Sequence, residues 1–250
     1  MKDLILACAA ALGLCFATAA AAAPGLAEKV YDPYVKNGVS EVEVRAGQLQ
    51  GGALNGESAA VVELEKGFND RFSLALVAEF EKHVGEKKKL DSLGVEGVVY
   101  LGQIPGTGID AGAYLEYEQR IHAESGVGEA KLLLAKNVDR FQAVLNLIVI
   151  QAFNNLPDER DAAFSYAAAA TFEIAPQVRA GVEAFGDLGT RKAFGGRQAS
   201  YIGPKIMWEA KPDWFPAEIE LQGAYLFATG SARDYTNGQA RLTLELEKRF

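Results

Sequence analysis

The end of this 250-residue chain alternates between apolar and polar or charged side chains, with Lys248 as the exception on the apolar parity. One parity of the last strand-like run is apolar and consists of Ala240, Leu242, Leu244, Leu246 and Phe250. The other parity consists of Gln239, Arg241, Thr243, Glu245, Glu247 and Arg249. Successive side chains of a β-strand point to opposite faces, whereas a helix would mix these two sets on every face. The run is therefore predicted to be a strand with one apolar and one charged face.

The same period of two recurs between turn signals along the rest of the chain. It predicts about twelve strands, at residues 38–49, 57–67, 71–83, 92–103, 109–122, 126–137, 140–153, 162–174, 177–186, 198–210, 217–229 and 238–250. Connectors after even-numbered strands are mostly short, and those after odd-numbered strands are longer and more polar. Long strands in even number, with short turns at one rim and long loops at the other, are typical of a transmembrane β-barrel. We therefore predict an all-β fold, a single antiparallel up-and-down barrel.

A secreted soluble β-sandwich or closed β-barrel is the alternative fold. Its strands would also alternate, but its apolar face would point inward and its strands are usually shorter, about five or six residues. In a bilayer, by contrast, a sheet must close on itself because lipid offers no hydrogen bonds to an open edge.

The first residues read as an export signal. A positive start at Lys2 precedes an apolar run at residues 4–16 and small residues at 17–23, which is the pattern of a cleaved secretory signal peptide. We predict a signal peptide at 1–22 and the barrel at 23–250, with an uncleaved membrane anchor as the alternative. Cys8 and Cys15 both fall in the signal peptide, so the exported chain is expected to form no disulfide.

The charge of the chain argues against two classes of partner. Of 25 basic and 33 acidic residues, only Lys2 and Asp3 lie in the predicted signal peptide, so the exported chain keeps the net charge of −8. A strongly acidic chain does not favour nucleic acid. It also does not favour a polybasic mode of membrane-surface binding.

If the apolar parity faces lipid, the charged parity faces the lumen. This places seventeen acids inside, Glu41, Glu43, Glu63, Glu65, Glu79, Glu81, Glu96, Glu116, Glu118, Glu129, Glu173, Glu183, Glu209, Glu218, Glu220, Glu245 and Glu247. Seven bases accompany them, Arg45, Arg120, Lys131, Arg179, Lys205, Arg241 and Arg249. An acidic pore favours cations. We expect selectivity to be set by Glu79, Glu81, Glu116, Glu118, Arg120, Lys205, Glu218 and Glu220. The alternative is a narrow lumen filled by salt-bridged side chains, with no open path.

No catalytic constellation stands out in the sequence. His122 with Ser125 suggests the dyad of an outer-membrane lipid hydrolase, but His122 takes the lumen parity, where lipid does not reach. The other histidine, His83, also falls near a strand end and is interpreted as a solvated side chain. We therefore predict a protein that is not an enzyme and has no cofactor and no metal site.

Short motifs carry a resemblance to a known family. They are EKGFNDRFSL at 65–74, PQVRAGVEA at 176–184, YIGPK at 201–205, GAYLF at 223–227 and LELE at 244–247. In these pieces the chain resembles the outer-membrane transporters associated with meta-pathway phenol degradation. The resemblance implies a small outer-membrane barrel that passes hydrophobic or aromatic solutes, and it implies no catalytic residues.

The terminal Phe250 resembles the assembly signal of bacterial outer-membrane barrels, although Lys248 departs from the apolar residue usual at the third position from the end. The expected partners are therefore the barrel assembly machinery, outer-membrane lipid and lipopolysaccharide, and a small-molecule solute.

These observations predict a passive or facilitated conduit for small solutes in the outer membrane of a Gram-negative bacterium, with both termini in the periplasm. The solutes are hydrophobic or aromatic on one reading and cationic on another. A structural or plugged barrel without transport, and a lipid hydrolase, are the alternatives.

Overall fold

The computed structural model describes residues 25–121, 125–153 and 161–249. These residues form twelve strands: β1 Val39–Gln50, β2 Ser58–Asn69, β3 Phe72–Lys82, β4 Lys89–Ile104, β5 Ile109–Arg120, β6 Gly126–Val138, β7 Phe141–Phe153, β8 Ala163–Ala175, β9 Val178–Thr190, β10 Ala199–Ala210, β11 Glu218–Gly230 and β12 Gly238–Arg249. Residues Ser231–Asp234 add one short 3-10 turn. Within the described residues, no helix is long and apolar enough to cross a membrane.

The strands close into a barrel. Each strand pairs with its neighbours in sequence, and β1 pairs antiparallel with β12 from Val39 opposite Arg249 to Gln50 opposite Gly238. Every strand thus has two partners, and no row of backbone donors and acceptors is left at an open edge. The predicted twelve-stranded antiparallel up-and-down barrel is confirmed.

The two ends of the barrel differ in their connections. At one end the chain reverses through short turns such as residues 139–140 and 176–177, where Asp139 and Gln177 have φ angles of 51° and 68°. Positive φ is what the tightest hairpin turns require. We call this end the turn rim; β1 begins there and β12 ends there. The other end, the loop rim, carries longer connections such as residues 51–57 and 191–198.

The outer surface of the barrel is apolar. Leu115 on β5 is 67% exposed and Leu76 on β3 is 63% exposed, whereas Glu43, Glu63 and Glu96 on the opposite parity are buried inside. A soluble barrel would bury the apolar parity, so this outer face does not fit the soluble alternative. An apolar band around the strands is instead what a lipid environment favours.

The packed core of the molecule lies inside the barrel. Residues 25–37, which precede β1, run through the lumen. Leu26 and Ala27 pack there against buried side chains of the loop-rim half, which are Leu49, Ala59, Val61, Val77, Ile148, Ala167, Phe185, Tyr201, Leu226, Ala228 and Ala232. Tyr31 packs closer to the turn rim, against Val98, Tyr114 and Leu133. The strands therefore enclose a core that is completed by their own N-terminal extension.

Candidate functional site

The lumen is occupied by residues 25–37, which we call the plug segment. Leu26 lies buried among apolar side chains of the loop-rim half. At the other end of the segment, the Tyr34 hydroxyl donates to Asp110 at 2.9 Å, where β5 starts from the turn rim. The plug segment therefore extends from the loop-rim half of the barrel to the turn rim.

Strand glycines provide the space that the plug segment occupies. A Cβ atom on Gly47 of β1 would lie 1.5 Å from the carbonyl oxygen of Leu26. A Cβ atom on Gly112 of β5 would lie 2.8 Å from the Pro33 side chain. Neither separation is compatible with van der Waals contact, so the path of the plug segment depends on these positions having no side chain.

Buried hydrogen bonds hold the backbone of the plug segment. The Asn146 side chain on β7 accepts from the Tyr31 backbone N–H at 2.8 Å and donates to the Tyr31 carbonyl at 2.7 Å. The Arg45 Nε donates to the Ala27 carbonyl at 3.1 Å. A segment without secondary structure must satisfy its backbone polar groups through side chains when it is buried. Asn146 and Arg45 supply those partners.

Ion pairs fix the charged side chains of the plug segment. Lys29 Nζ lies 2.7 Å from Glu43 Oε2 on β1, and Glu28 Oε1 lies 2.5 Å from Lys131 Nζ on β6. Lys131 Nζ also lies 4.4 Å from the ring centroid of Tyr31. Removing one partner of a buried pair leaves an uncompensated charge, which costs about 3–5 kcal/mol. These contacts therefore favour the seated position of the plug segment.

The turn-rim end of the plug segment is held by Lys36. Its ammonium pairs with the Glu247 carboxylate near the end of β12. Burial alone would lower the pKa of Lys36, but the hydrogen bond and charge of Glu247 outweigh it and raise that pKa above its usual range. Lys36 therefore stays cationic at neutral pH and keeps its attraction to β12.

The lumen contains a cavity toward each rim. The loop-rim cavity has a volume of about 680 Å³ and reaches residues 25–28 of the plug segment. The turn-rim cavity has a volume of about 350 Å³ and is lined by the plug segment from Lys29 to Lys36. The plug segment contributes to the walls of both cavities.

The loop-rim cavity has two unlike walls. Carboxylates predominate on the β3–β6 side, where Arg120 and His83 are accompanied by Glu79, Glu81, Asp91, Glu116, Glu118 and Glu129. The β7–β9 side is largely apolar and includes Ile148, Ile150, Phe164 and Phe185. The acidic wall attracts positive charge, and the apolar wall offers contact to a hydrophobic group.

The residues predicted to set selectivity divide between the cavities. Five of them line the loop-rim cavity, namely Glu79, Glu81, Glu116, Glu118 and Arg120. Lys205 and Glu220 line the turn-rim cavity, and Glu218 begins β11 at the turn rim without lining either cavity. Lys205 Nζ lies 2.8 Å from Glu183 Oε1, so its charge is already paired. The role of these residues in selectivity stays a prediction.

Some predictions fall outside the part of the chain that the structure describes. They concern the signal peptide at 1–22, the assembly signal at Phe250 and His122 of the hydrolase alternative. His83 is described, and its Nε2 lies 3.6 Å from Glu81 Oε2.

The sequence analysis missed the plug segment and its anchors. Asn146 is a polar residue on the lumen-facing parity of β7, flanked on that parity by Val144 and Ile148. That apolar inner face was the available signal, because an apolar strand face inside a lumen needs something to cover it. Gly47 gave a weaker signal, since a glycine within a strand often marks a close backbone approach.

Several solved structures of outer-membrane channels have a similar fold. No protein-family model and no curated protein matches the sequence. Among solved structures, the COG4313 outer membrane channel from Pseudomonas putida F1 is similar with a TM-score of 0.59 at 12% identity, over 91% of this chain and 99% of that one. The NanC porin is similar with a TM-score of 0.57 at 9% identity, over 84% of this chain and 100% of that one.

The KdgM porin, solved in complex with disordered oligogalacturonate, is similar with a TM-score of 0.53 at 11% identity, over 84% of this chain and 99% of that one. At these identities the likeness concerns the fold. The predicted resemblance to outer-membrane channel barrels is confirmed at that level, and the comparisons do not extend it to the phenol-degradation family.

Proposed function

We propose that this chain is an outer-membrane channel for small solutes and that movement of the plug segment opens its path. The observation that supports the proposal is a closed barrel with a cavity toward each rim and the plug segment in the walls of both. A barrel with a purely structural role would have no need of a cavity toward each rim. The channel folds of the similar solved structures agree with this assignment.

The solutes that fit the loop-rim cavity best are small organic cations with an apolar body. The carboxylates of β3–β6 would attract the positive group, and side chains such as Ile148 and Phe185 would contact the apolar part. Such a solute combines the cationic and aromatic properties that the sequence predicts as alternatives.

The membrane partners follow from the outer face. We place the turn rim, where β1 begins and β12 ends, in the periplasm, and the loop rim at the cell surface. Exposed Lys87 and Lys88 in the loop between β3 and β4, and exposed Lys89 at the start of β4, would then face anionic lipopolysaccharide. Trp214, which is 80% exposed beside the turn rim, would lie at the membrane interface, and the C-terminal strand would engage the assembly machinery.

Conductance in planar bilayers tests the channel and its gate together. Gly47→Ala places a methyl group where the Leu26 carbonyl lies, so it should displace the loop-rim end of the plug segment. The frequency and duration of channel openings should therefore rise. Gly223→Ala is the matched control, because the nearest atom to its new Cβ is 4.0 Å away. Its openings should equal those of the wild type.

The structural-barrel alternative makes the opposite prediction. If neither wild-type protein nor the Gly47→Ala variant conducts, and liposomes containing them pass no solute, the channel proposal is wrong. Both proteins must first show the far-ultraviolet circular dichroism of a folded barrel.

Ion selectivity tests the acidic wall. The triple variant Glu79→Gln, Glu116→Gln, Glu118→Gln removes three negative charges from the loop-rim cavity. The reversal potential in a salt gradient should move toward that of a non-selective pore, because fewer fixed carboxylates attract cations. An unchanged reversal potential would assign selectivity to another part of the lumen.

A further inference from the structure

Two groups of three carboxylates face the lumen. The first consists of Glu41, Glu43 and Glu245, and the second consists of Glu63, Glu65 and Glu96; in each group, one oxygen from every carboxylate lies within 4.8 Å of the others. The first group contains its own cation. Lys29 Nζ lies 3.5 Å from Glu41, 2.7 Å from Glu43 and 3.7 Å from Glu245. We call the second group the β2–β4 triad.

The β2–β4 triad arises from the strand register. Glu65 on β2 and Glu96 on β4 are both opposite Ala75 of β3, and Glu63 is opposite Val77. The methyl group of Ala75 is too short to separate the longer side chains on either side. The carboxylates of β2 and β4 can therefore converge above β3.

Two oxygens of the triad are buried without a partner. Glu63 is 1% exposed and Glu96 is 2% exposed, and among the described residues no donor reaches the Oε1 atom of either. Their other oxygens are used, since Glu63 Oε2 lies 2.6 Å from Arg45 and Glu96 Oε2 accepts from Tyr114 at 2.8 Å. Burying a carboxylate oxygen without a hydrogen-bond partner costs free energy. A bound cation would supply the missing partner for both atoms.

The charges near the triad do not balance. Arg45 is shared between Glu63 and Glu43, at 2.6 Å and 2.5 Å. Within the described residues, Glu65 and Glu96 form no ion pair; Glu65 has a hydrogen bond with the Ser73 hydroxyl, and Glu96 with tyrosine hydroxyls. The single shared guanidinium leaves the triad with a surplus of negative charge, which burial makes expensive.

We propose that the β2–β4 triad binds a hard divalent cation, with calcium preferred to magnesium. Calcium binds carboxylate oxygens at about 2.3–2.6 Å, so donors on opposite sides of the ion are about 5 Å apart, whereas magnesium requires tighter octahedral packing at about 2.0–2.1 Å. Three protein carboxylates at one buried position suit calcium, whereas magnesium usually keeps several waters and binds through one or two carboxylates. The bound ion takes the place that Lys29 takes in the first group.

A cation at this position would reach the plug segment through Glu96. The Tyr31 hydroxyl donates to Glu96 Oε2 at 3.2 Å, and the Arg45 side chain joins Glu63 to the Ala27 carbonyl. The ion would link β2 to β4 and orient two carboxylates that contact the segment or its anchors. Cation binding by the triad does not depend on solute passage.

Calcium binding is measured first on the refolded full chain in detergent micelles, after treatment with a chelator and its removal. Isothermal titration calorimetry should show one saturable calcium site per chain. Terbium, a luminescent substitute for calcium, should give tyrosine-sensitised emission, because the Tyr31 and Tyr114 hydroxyls bind Glu96 directly. Added calcium should remove this emission at lower concentrations than magnesium.

The variants Glu65→Gln and Glu96→Gln locate the site. Each removes one charged ligand and should weaken calcium binding by at least about tenfold, since affinity rises with the number of charged ligands. Glu57→Gln is the control, because this carboxylate lies beside His83, outside the triad. It should bind calcium and terbium as the wild type does.

The proposal is overturned by either of two results. The first is a wild-type protein that binds no calcium in the calorimeter, which would mean that protons neutralise the triad. This result does not depend on the folding of any variant. The other is equal binding by wild type and by folded Glu65→Gln and Glu96→Gln proteins, which would mean that the ion binds elsewhere on the acidic chain.

Discussion

Asn146→Ala should release the plug segment without disturbing the barrel wall. The substitution removes two hydrogen bonds, at 2.8 Å and 2.7 Å, between the Asn146 side chain and the Tyr31 backbone. Asn146 faces the lumen of β7 and is fully buried, so water does not replace these bonds while the segment is seated. Each such bond contributes about 0.5–1.5 kcal/mol net, or about 1–3 kcal/mol for the pair.

This free energy acts on the equilibrium between the seated and displaced segment. Because the backbone of Tyr31 is hydrated after displacement, only the seated state loses stability. Every 1.4 kcal/mol is about tenfold in an equilibrium constant, so the ratio of displaced to seated molecules should rise by about 5- to 150-fold. Single-channel recordings of the refolded protein should report the change as a higher open probability.

Asn137→Ala is the matched control for this experiment. The Asn137 side chain also contacts the plug segment, donating to the Tyr34 hydroxyl at 2.7 Å, but it is exposed at the turn rim. Water can replace that bond, so the open probability should change by less than about threefold. A folded Asn146→Ala variant with wild-type open probability, or an equal response in the two variants, would refute the reasoning that buried bonds seat the segment.

Two further predictions concern stability. Glu183→Gln leaves Lys205 and Arg241 without their shared carboxylate and should lower the free energy of unfolding by about 3–5 kcal/mol in urea titrations. Glu86→Gln removes an exposed ion pair and should change it by less than about 1 kcal/mol; similar losses in both variants would contradict the assigned burial. Leu76→Arg places a charge on the outer face and should destabilise the barrel in vesicles by about 2–4 kcal/mol. If Leu76→Arg costs no more than Leu76→Ala, this face does not contact lipid.

The period of two was sufficient to predict the strands, because side-chain alternation is imposed on each strand by its two environments. The prediction was less accurate where a strand contains turn residues. The sequence analysis ended the ninth strand at residue 186, whereas β9 continues to Thr190. Gly189 reads as a turn signal, but it is paired with Phe164 beside a bulge in the β8–β9 ladder, with φ of 93°. A glycine in such a bulge continues a strand that composition alone would end.

The plug segment could not be found by the same reasoning. Residues 25–37 have no period, because the segment is held by separate contacts to several strands, including Lys131 of β6, Asn146 of β7 and Glu247 of β12. The sequence could have predicted that another part of the chain covers the apolar side chains that face the lumen. On β7 the inward parity includes Val144, Ile148 and Ile150, and on β11 it includes Leu226. An inner face described only as acidic omits these side chains, which pack around the segment.

The plug segment and the strands contribute differently to the lumen. The segment contains Glu28, Lys29, Asp32 and Lys36 and so has no net charge, whereas the inward parity of the strands has many more acids than bases. Displacing the segment would therefore change the width of the path but not the sign of the charge along it. On the proposed function, access would depend on contacts such as those of Asn146, and charge preference would depend on the strand carboxylates. The net charge of −8 and the closed lumen thus have separate physical origins.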